Sequence, residues 1–309
     1  MRPGDKAIAT DLDRRLLTYS KNKRGLDGIV SKVERGVLVR QFVDSLRRVR
    51  FIEVIKQRRK DLKRADPSAE IFDPLRAATI YQDGGDIDEA CWLVFLATHF
   101  GRHGIDGWRL TRDIYGGLGG NTRWTWKRTS ADPSAFLSWL DINQTRLKTD
   151  GVSRRFSGHR KYESLSVDGT GRAIESYVNW IAPPRTHDEF FQAAIKAANG
   201  DSRESFDALY RSMKSVVRFG RLARFDYLTM IGKLRLAAIE PGSTYMVGAT
   251  GPFAGANSLF GSKAAPLDRH ELDSWLVELA DDIGVGMQVM EDALCNWQKS
   301  PKKYKHYRG

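Results

Sequence analysis

Cysteine is scarce in this sequence: two occur among 309 residues, Cys91 and Cys295. Neither stands in a C-x-x-C motif or a Cys/His cluster, which excludes a disulfide scaffold and a zinc finger. Long apolar runs are missing too. No stretch approaches the ~20 apolar residues needed to cross a bilayer, and the polar start from Met1 to Asp11 has no signal-type apolar segment. These absences predict a protein of the reducing cytoplasm with no membrane association. There is no internal repeat, and no spacing indicates a metal or an organic cofactor. His99 and His103 are four residues apart with no third ligand near, so they read as a satisfied or surface pair.

Positive charge is what the chain has in excess. Fifty Lys and Arg against 38 Asp and Glu give a net charge of +12 and a pI near 9.7. That excess suits a polyanion, because each phosphate contact releases condensed counterions. The sum does not separate nucleic acid from an anionic membrane surface or a phosphorylated small molecule; the distribution is more informative. With 41% hydrophobic and 10% aromatic residues, one large or two medium cores can form.

Apolar residues recur at helical spacing nearly everywhere, so the fold class is predicted as all-α, a multi-helical globular enzyme with a helix-hairpin-helix-like element. Val33 to Arg64 reads as one long amphipathic helix with a basic second half, open to two uses: a solvated face or a nucleic-acid contact. Asp86 to Phe100 opens with acids in its first turn and reads as a buried helix that ends at Gly101. Gly107 to Ile114 reads as a further helix, and Asp132-Pro133 starts another. Residues 142–170 are expected to form a mobile loop, whose Arg154, Arg155, Arg160 and Lys161, mixed with Phe156 and Tyr162, suit a nucleic-acid strand or a solvated surface. Helices are expected at 171–181, 187–198, 202–238, 268–282 and 285–299. Pro183-Pro184 divides an N-terminal region, 1–182, from a C-terminal region, 183–309, within one compact unit.

Three constellations carry chemistry. The first is Gly117-Leu118-Gly119-Gly120-Asn121-Thr122, which fits the G-h-G-x-x-T hairpin whose amides accept a DNA phosphate. Arg123, Trp124, Trp126, Lys127 and Arg128 follow it, mixing cations with aromatic planes. The DNA-contacting set is therefore Gly119, Asn121, Arg123, Trp124, Lys127 and Arg128, with Trp124 as the stacking ring and Trp126 assigned to the core. The second is the stretch from Val216 to Lys233, where Arg218, Arg221 and Arg224 form a row beside Gly220, suited to a di- or triphosphate or to a salt-bridged face. The third is EDALCNWQK, 291–299, which as a helix places Glu291, Cys295 and either Gln298 or Lys299 on one face. Its thiol is either a nucleophile or a small buried hydrophobe.

The order FGRLARFDYL (219–228), GPFAGANSLFG (251–261), EDALCNWQK and KKY resembles the alpha-glutamyl/putrescinyl thymine pyrophosphorylase family, the amino acid:DNA transferases of bacteriophage DNA hypermodification. The resemblance implies a helical enzyme of the phage-infected bacterial cytoplasm. Its partners would be DNA carrying 5-(pyrophosphoryloxymethyl)uracil and an amino acid or polyamine whose amine displaces pyrophosphate. It places Arg218, Arg221 and Lys299 on the pyrophosphate, Tyr227 beside them, and Glu291, Asp292 and Cys295 at the chemistry.

Pyrophosphate on an allylic-type carbon leaves readily once cations match its charge. Glu291 or Asp292 takes the proton of the amine. The sharper hypothesis is that Cys295 adds to C6 of the uracil ring and expels pyrophosphate through the exocyclic carbon. Two other readings stay open: a helix-hairpin-helix DNA glycosylase relative with Asp141 as acid, and a non-catalytic phage DNA-binding protein.

Overall fold

Helices form every regular element among the described residues of the computed structural model, which are residues 3–58, 60–120, 122–261 and 267–307. About 67% of the chain is helical and the described residues include no strand or sheet, so the all-α expectation holds. In chain order the helices are α1 (Pro3–Asn22), α2 (Lys32–Gln57), α3 (Pro74–Asp83), α4 (Ile87–Phe100), α5 (Arg109–Tyr115), α6 (Trp126–Ala131) and α7 (Pro133–Thr149). They continue as α8 (Arg172–Ile181), α9 (His187–Ala197), α10 (Ser202–Ser212), α11 (Arg221–Lys233), α12 (Gly251–Leu259), α13 (Arg269–Ile283) and α14 (Met287–Trp297). Two compact units result, one from residues 1–54 with 241–309 and one from residues 55–240.

The second unit is organised by α4. Its sequence IDEACWLVFLATHF is apolar on nearly all sides, which fits a helix surrounded by others. Asp86 caps it by accepting from the Glu89 amide, and Gly101 ends it at φ +65°. Trp92, Phe95 and Phe100 are fully buried, each contributing on the order of 2–3 kcal/mol of apolar transfer. Phe95 stacks on Tyr177 at 3.9 Å and on Phe219 at 4.8 Å, joining α8 and the approach to α11 to this centre. Glu89 is also buried. Its carboxylate accepts from the Tyr115 hydroxyl and from the Trp126 amide, each at 2.7 Å, and so fixes the start of α6. Burial pushes its pKa up to about 7 against the lowering effect of those two donors.

Several expectations need correction. Pro183-Pro184 lies inside the second unit, not at its edge. The chain turns there so that His187, fully buried at the start of α9, docks onto Asp88 of α4. The basic helix stops at Gln57, and Lys60 turns to the Asp83 carboxylate while Asp61 caps a short turn at Leu62–Arg64; Arg59 lies outside the described residues. Helix α7 runs on to Thr149, shortening the expected loop. The loop's arginines are ion-paired: Arg154 pairs with Asp113 and Asp150 at 2.6 Å each, Arg155 grips Asp106, and Arg160 pairs with Asp226 at 3.0 Å.

The single helix expected over 202–238 is broken. The chain leaves α10 through a tight turn at Met213–Ser215 and buries Met213, Val216 and Phe219. Arg218 adopts a left-handed backbone, φ +66°, and Gly220 is the extended N-cap of α11. A Cβ on Gly220 would meet nothing within 4 Å, so no close approach explains this glycine.

The Gly-rich segment 251–261 is helical through Leu259, and its glycines have a packing reason. A Cβ on Gly255 would stand 2.5 Å from the Leu294 carbonyl oxygen, and one on Gly251 would stand 2.9 Å from Cys295 Sγ. Gly255→Ala should therefore destabilise the first unit by roughly 1–3 kcal/mol. Gly36→Ala, inside α2 with open space around it, should stabilise by up to ~1 kcal/mol. Urea denaturation of both variants checks the pair; equal effects would refute the packing account.

Glu89 generates a pH dependence. The unfolded chain releases this proton near 4.5 and the folded chain holds it to about 7. Stability should fall as pH rises between those values and level off above, by an amount on the order of a few kcal/mol. Glu89→Gln should remove that slope in denaturation curves taken at pH 5 and pH 8.

Candidate functional site

Helix α14 carries most of the C-terminal constellation. Met287, Met290, Leu294 and Trp297 bury one face, which leaves Glu291, Asp292 and Cys295 at its margins. Cys295 is half-buried against Gly251, the first residue of α12. Glu291, one turn earlier on the same face, is 7% exposed. Lys299, just past the helix, donates to Asn296 Oδ1 at 2.9 Å and lies 4.8 Å over the Tyr307 ring.

Asp292 faces the other way. Its carboxylate accepts from Ser45 Oγ at 2.6 Å, from Arg48 Nε and Nη2 at 2.8 and 2.6 Å, and from Asn296 Nδ2 at 2.9 Å. A carboxylate so fully engaged is an anchor for α2 rather than a proton acceptor, which corrects the choice of Asp292 as an alternative base.

The seat for this anchor was not singled out from the sequence. Gln41, Asp44, Ser45 and Arg48 make a polar row at i, i+3, i+4 and i+7 on α2, and the first three are 1%, 4% and 0% exposed. Asp44 accepts from the Tyr304 hydroxyl at 2.6 Å and pairs with His306 at 3.0 Å. Gln41 donates to the Lys305 carbonyl and Arg48 to the Tyr307 carbonyl. Burial, helped by Asp44, pushes the Tyr304 hydroxyl up to about 12. A polar stripe among Leu38, Phe42 and Val43 is the signal that could have revealed this seat.

The arginine constellation belongs to the second unit, whereas Glu291, Cys295 and Lys299 belong to the first. Arg218 stands 3.8 Å from Glu163, and Arg221 covers the Phe225 ring at 5.2 Å. Arg224 donates to the Tyr210 carbonyl and covers the Tyr210 ring. Tyr227 is fully buried: its hydroxyl meets Tyr177 Oη at 2.8 Å, which meets His187 Nε2 at 2.7 Å, and His187 Nδ1 meets Asp88 at 2.6 Å. Burial pushes both tyrosines well up and His187 down. In this position Tyr227 is the end of an internal chain, not an open group beside the arginines.

In the Gly-rich turn, Gly117, Leu118 and Gly119 are all left-handed, at φ 58°, 60° and 76°. Asn121 lies outside the described residues. Arg123 pairs with Asp66 at 2.7 Å, and Lys127 and Arg128 are exposed. Trp124 is 2% exposed, set edge-on against Phe136 at 5.2 Å, so its ring is closed to a base and the stacking role is corrected. Trp126 is buried as expected. His99 is buried against Thr170, and His103 Nδ1 accepts amides of its own loop. Among the described residues no group of three His, Cys, Asp or Glu is placed to hold a metal ion.

Asp292→Asn should cost roughly 1–3 kcal/mol of first-unit stability, the range for a charged hydrogen bond, and speed amide exchange at 304–307. Hydrogen exchange by mass spectrometry reads both; unaltered exchange in that tail would refute the anchoring role.

The sequence model of one protein family, described as alpha-glutamyl/putrescinyl thymine pyrophosphorylase clade 3, matches residues 33–309. A comparison with curated proteins finds no match, and none is found among solved structures. The family's name implies an enzyme that acts on modified thymine with pyrophosphate involved. With nearly its whole length matched, this helical chain belongs to the alpha-glutamyl/putrescinyl thymine pyrophosphorylase family, clade 3.

Proposed function

We propose that the protein is a DNA base-hypermodification transferase that displaces pyrophosphate from 5-(pyrophosphoryloxymethyl)uracil with the amine of an amino acid or polyamine. The observation that carries this reading is the setting of Cys295. Its half-buried Sγ lies against the first residue of α12, with Glu291 one turn before it. A helix N-terminus favours negative charge on a neighbouring group, which suits a thiolate nucleophile.

In the proposed sequence the Cys295 thiolate bonds to C6 of the ring, and the electron pair displaced onto C5 forms the exocyclic double bond as the carbon–oxygen bond to pyrophosphate breaks. The amine then bonds to the exocyclic carbon and gives its proton to Glu291. Loss of the thiolate from C6 restores the ring. Lys299 is the cation nearest in sequence to this chemistry. In the second unit the family resemblance proposes Arg218 and Arg221 as guanidinium ligands of phosphate, and the long Arg218–Glu163 pair is weak enough to exchange for phosphate oxygens. DNA contact is assigned to Gly119, Arg123, Lys127 and Arg128 around the left-handed turn. The glycosylase alternative gains nothing from Asp141, which is exposed and accepts from Gln144.

Mass spectrometry of nucleosides from pyrophosphorylated DNA, treated with the protein and a pool of amino acids and polyamines, tests the reading. A conjugate with one amine is expected, and Cys295→Ala should lower its rate at least ~100-fold, the scale for a lost nucleophile. A near wild-type rate in Cys295→Ala would eliminate the covalent route alone. Abasic sites, or no conjugate with any amine, would eliminate the transferase.

A further inference from the structure

A pocket of about 330 Å³ opens on the second unit, far richer in arginine than the sequence motifs indicate. Arg64, Arg102, Arg109 and Arg112 line it, with Trp108 and the carboxylates of Glu70, Asp73 and Asp106. Two of those carboxylates are already committed. Asp73 caps α3 by accepting the Leu75 and Arg76 amides, and Asp106 is held by Arg155 through contacts of 2.8 and 3.0 Å. Of the cations, Arg112 pairs with Asp113 at 3.0 Å, and the other three are far less committed. Arg64 and Arg109 reach nothing stronger than the carbonyls of Ile71 and Ser153, and Arg102 is exposed with no carboxylate partner among the described residues. Arg64 Nε and Trp108 Nε1 are buried donors without an acceptor. Such a lining calls for an anion with several oxygens.

A second, narrower cleft shares Arg64 as a wall and adds Arg58, Lys60 and Arg76. Arg76 also has no carboxylate partner among the described residues. Arg64 lines both hollows, and basic side chains spread over neighbouring hollows suit a chain of phosphates better than one compact anion.

We propose that Arg64, Arg76, Arg102 and Arg109 form a track for consecutive backbone phosphates of DNA. The inference deepens the transferase reading, on which its choice of DNA rests, by adding a substrate-gripping surface separate from the Gly-rich turn. The ligand chemistry, a phosphate oxygen on guanidinium, is shared by the phosphodiester backbone and by free pyrophosphate, and the test separates them.

Binding of an unmodified DNA duplex is titrated over 50–200 mM salt with the full-length protein, a range in which phosphate contacts dominate affinity. Arg102→Ala and Arg109→Ala should each weaken binding roughly three- to tenfold and lower the salt slope by about 1. Arg102→Lys should retain most of the slope. In a second arm, inorganic pyrophosphate is titrated into the same proteins. If Arg102→Ala loses pyrophosphate affinity and keeps the wild-type DNA slope, the pocket is a pyrophosphate site and the track is overturned. Unchanged DNA affinity and slope in both alanine variants overturns it as well. Because binding is read on unmodified DNA and conjugation on pyrophosphorylated DNA, Arg102-dependent binding together with no conjugate on the pyrophosphorylated DNA would remove the transferase and leave the track. Base conjugation by the wild-type protein with unaltered binding by Arg102→Ala would do the reverse.

Discussion

Gly251 and Gly255 stand one turn apart on α12, and at both positions α14 comes too near for a side chain. At the far end of the same helix, a Cβ on Gly28 would overlap the Ser258 carbonyl. Helix α12 is thus pressed from two sides at backbone distance. Bulky residues would bury more area there but would push the helices apart, and contact at this range is lost steeply with separation. The placement of Cys295 follows from this closeness, because the sulfur occupies the space that a β-carbon on Gly251 would need. The glycines of the segment therefore serve the thiol by what they omit.

Charge behaves less simply than the total implies. A net charge of +12 invites the assumption that any arginine-rich segment is available to a polyanion. Arg154, Arg155 and Arg160, in the segment that looks most suited to a nucleic-acid strand, are spent on Asp113, Asp106 and Asp226. Arg48 is spent on Asp292. Arg76 and Arg102, two of the arginines with no carboxylate partner among the described residues, sit singly in the sequence and belong to no basic run. Clustering in sequence and availability in space are different properties, since a cluster of cations placed in a folded chain attracts the carboxylates that neutralise it.

What was legible in the sequence was local. The acids that open at Asp86, the stop at Gly101, and Asp132 with Pro133 mark helix ends through effects that depend on neighbours within a turn, and the structure ends its helices there, with Asp86 itself serving as the cap. The family motifs were legible for the same reason. The break at 213–220 was not, because helical spacing continues across it while the burial of Val216 and Phe219 is decided by distant partners such as Phe95. Nor was α12, where glycine propensity argues against a helix and the compensation comes from α14. Trp124 looked available because its neighbours are cations, yet Phe136 and Trp139 enclose it from the next helix.

Tyr227 carries that lesson into the motif itself. With Asp88 ionised, His187 must hold its proton on Nδ1, so Nε2 accepts from the Tyr177 hydroxyl. The Tyr177 oxygen is then left to accept from Tyr227, and the donors run in one direction from α11 through α8 and α9 to α4. Every hydroxyl in this chain is buried and would otherwise lack a partner, a situation that costs on the order of 1–3 kcal/mol for each group. The same bonds fix the rotation of α11 about its axis, and with it the direction in which Arg221 leaves the first turn. A motif tyrosine can thus set the geometry of the arginine before it from inside the core.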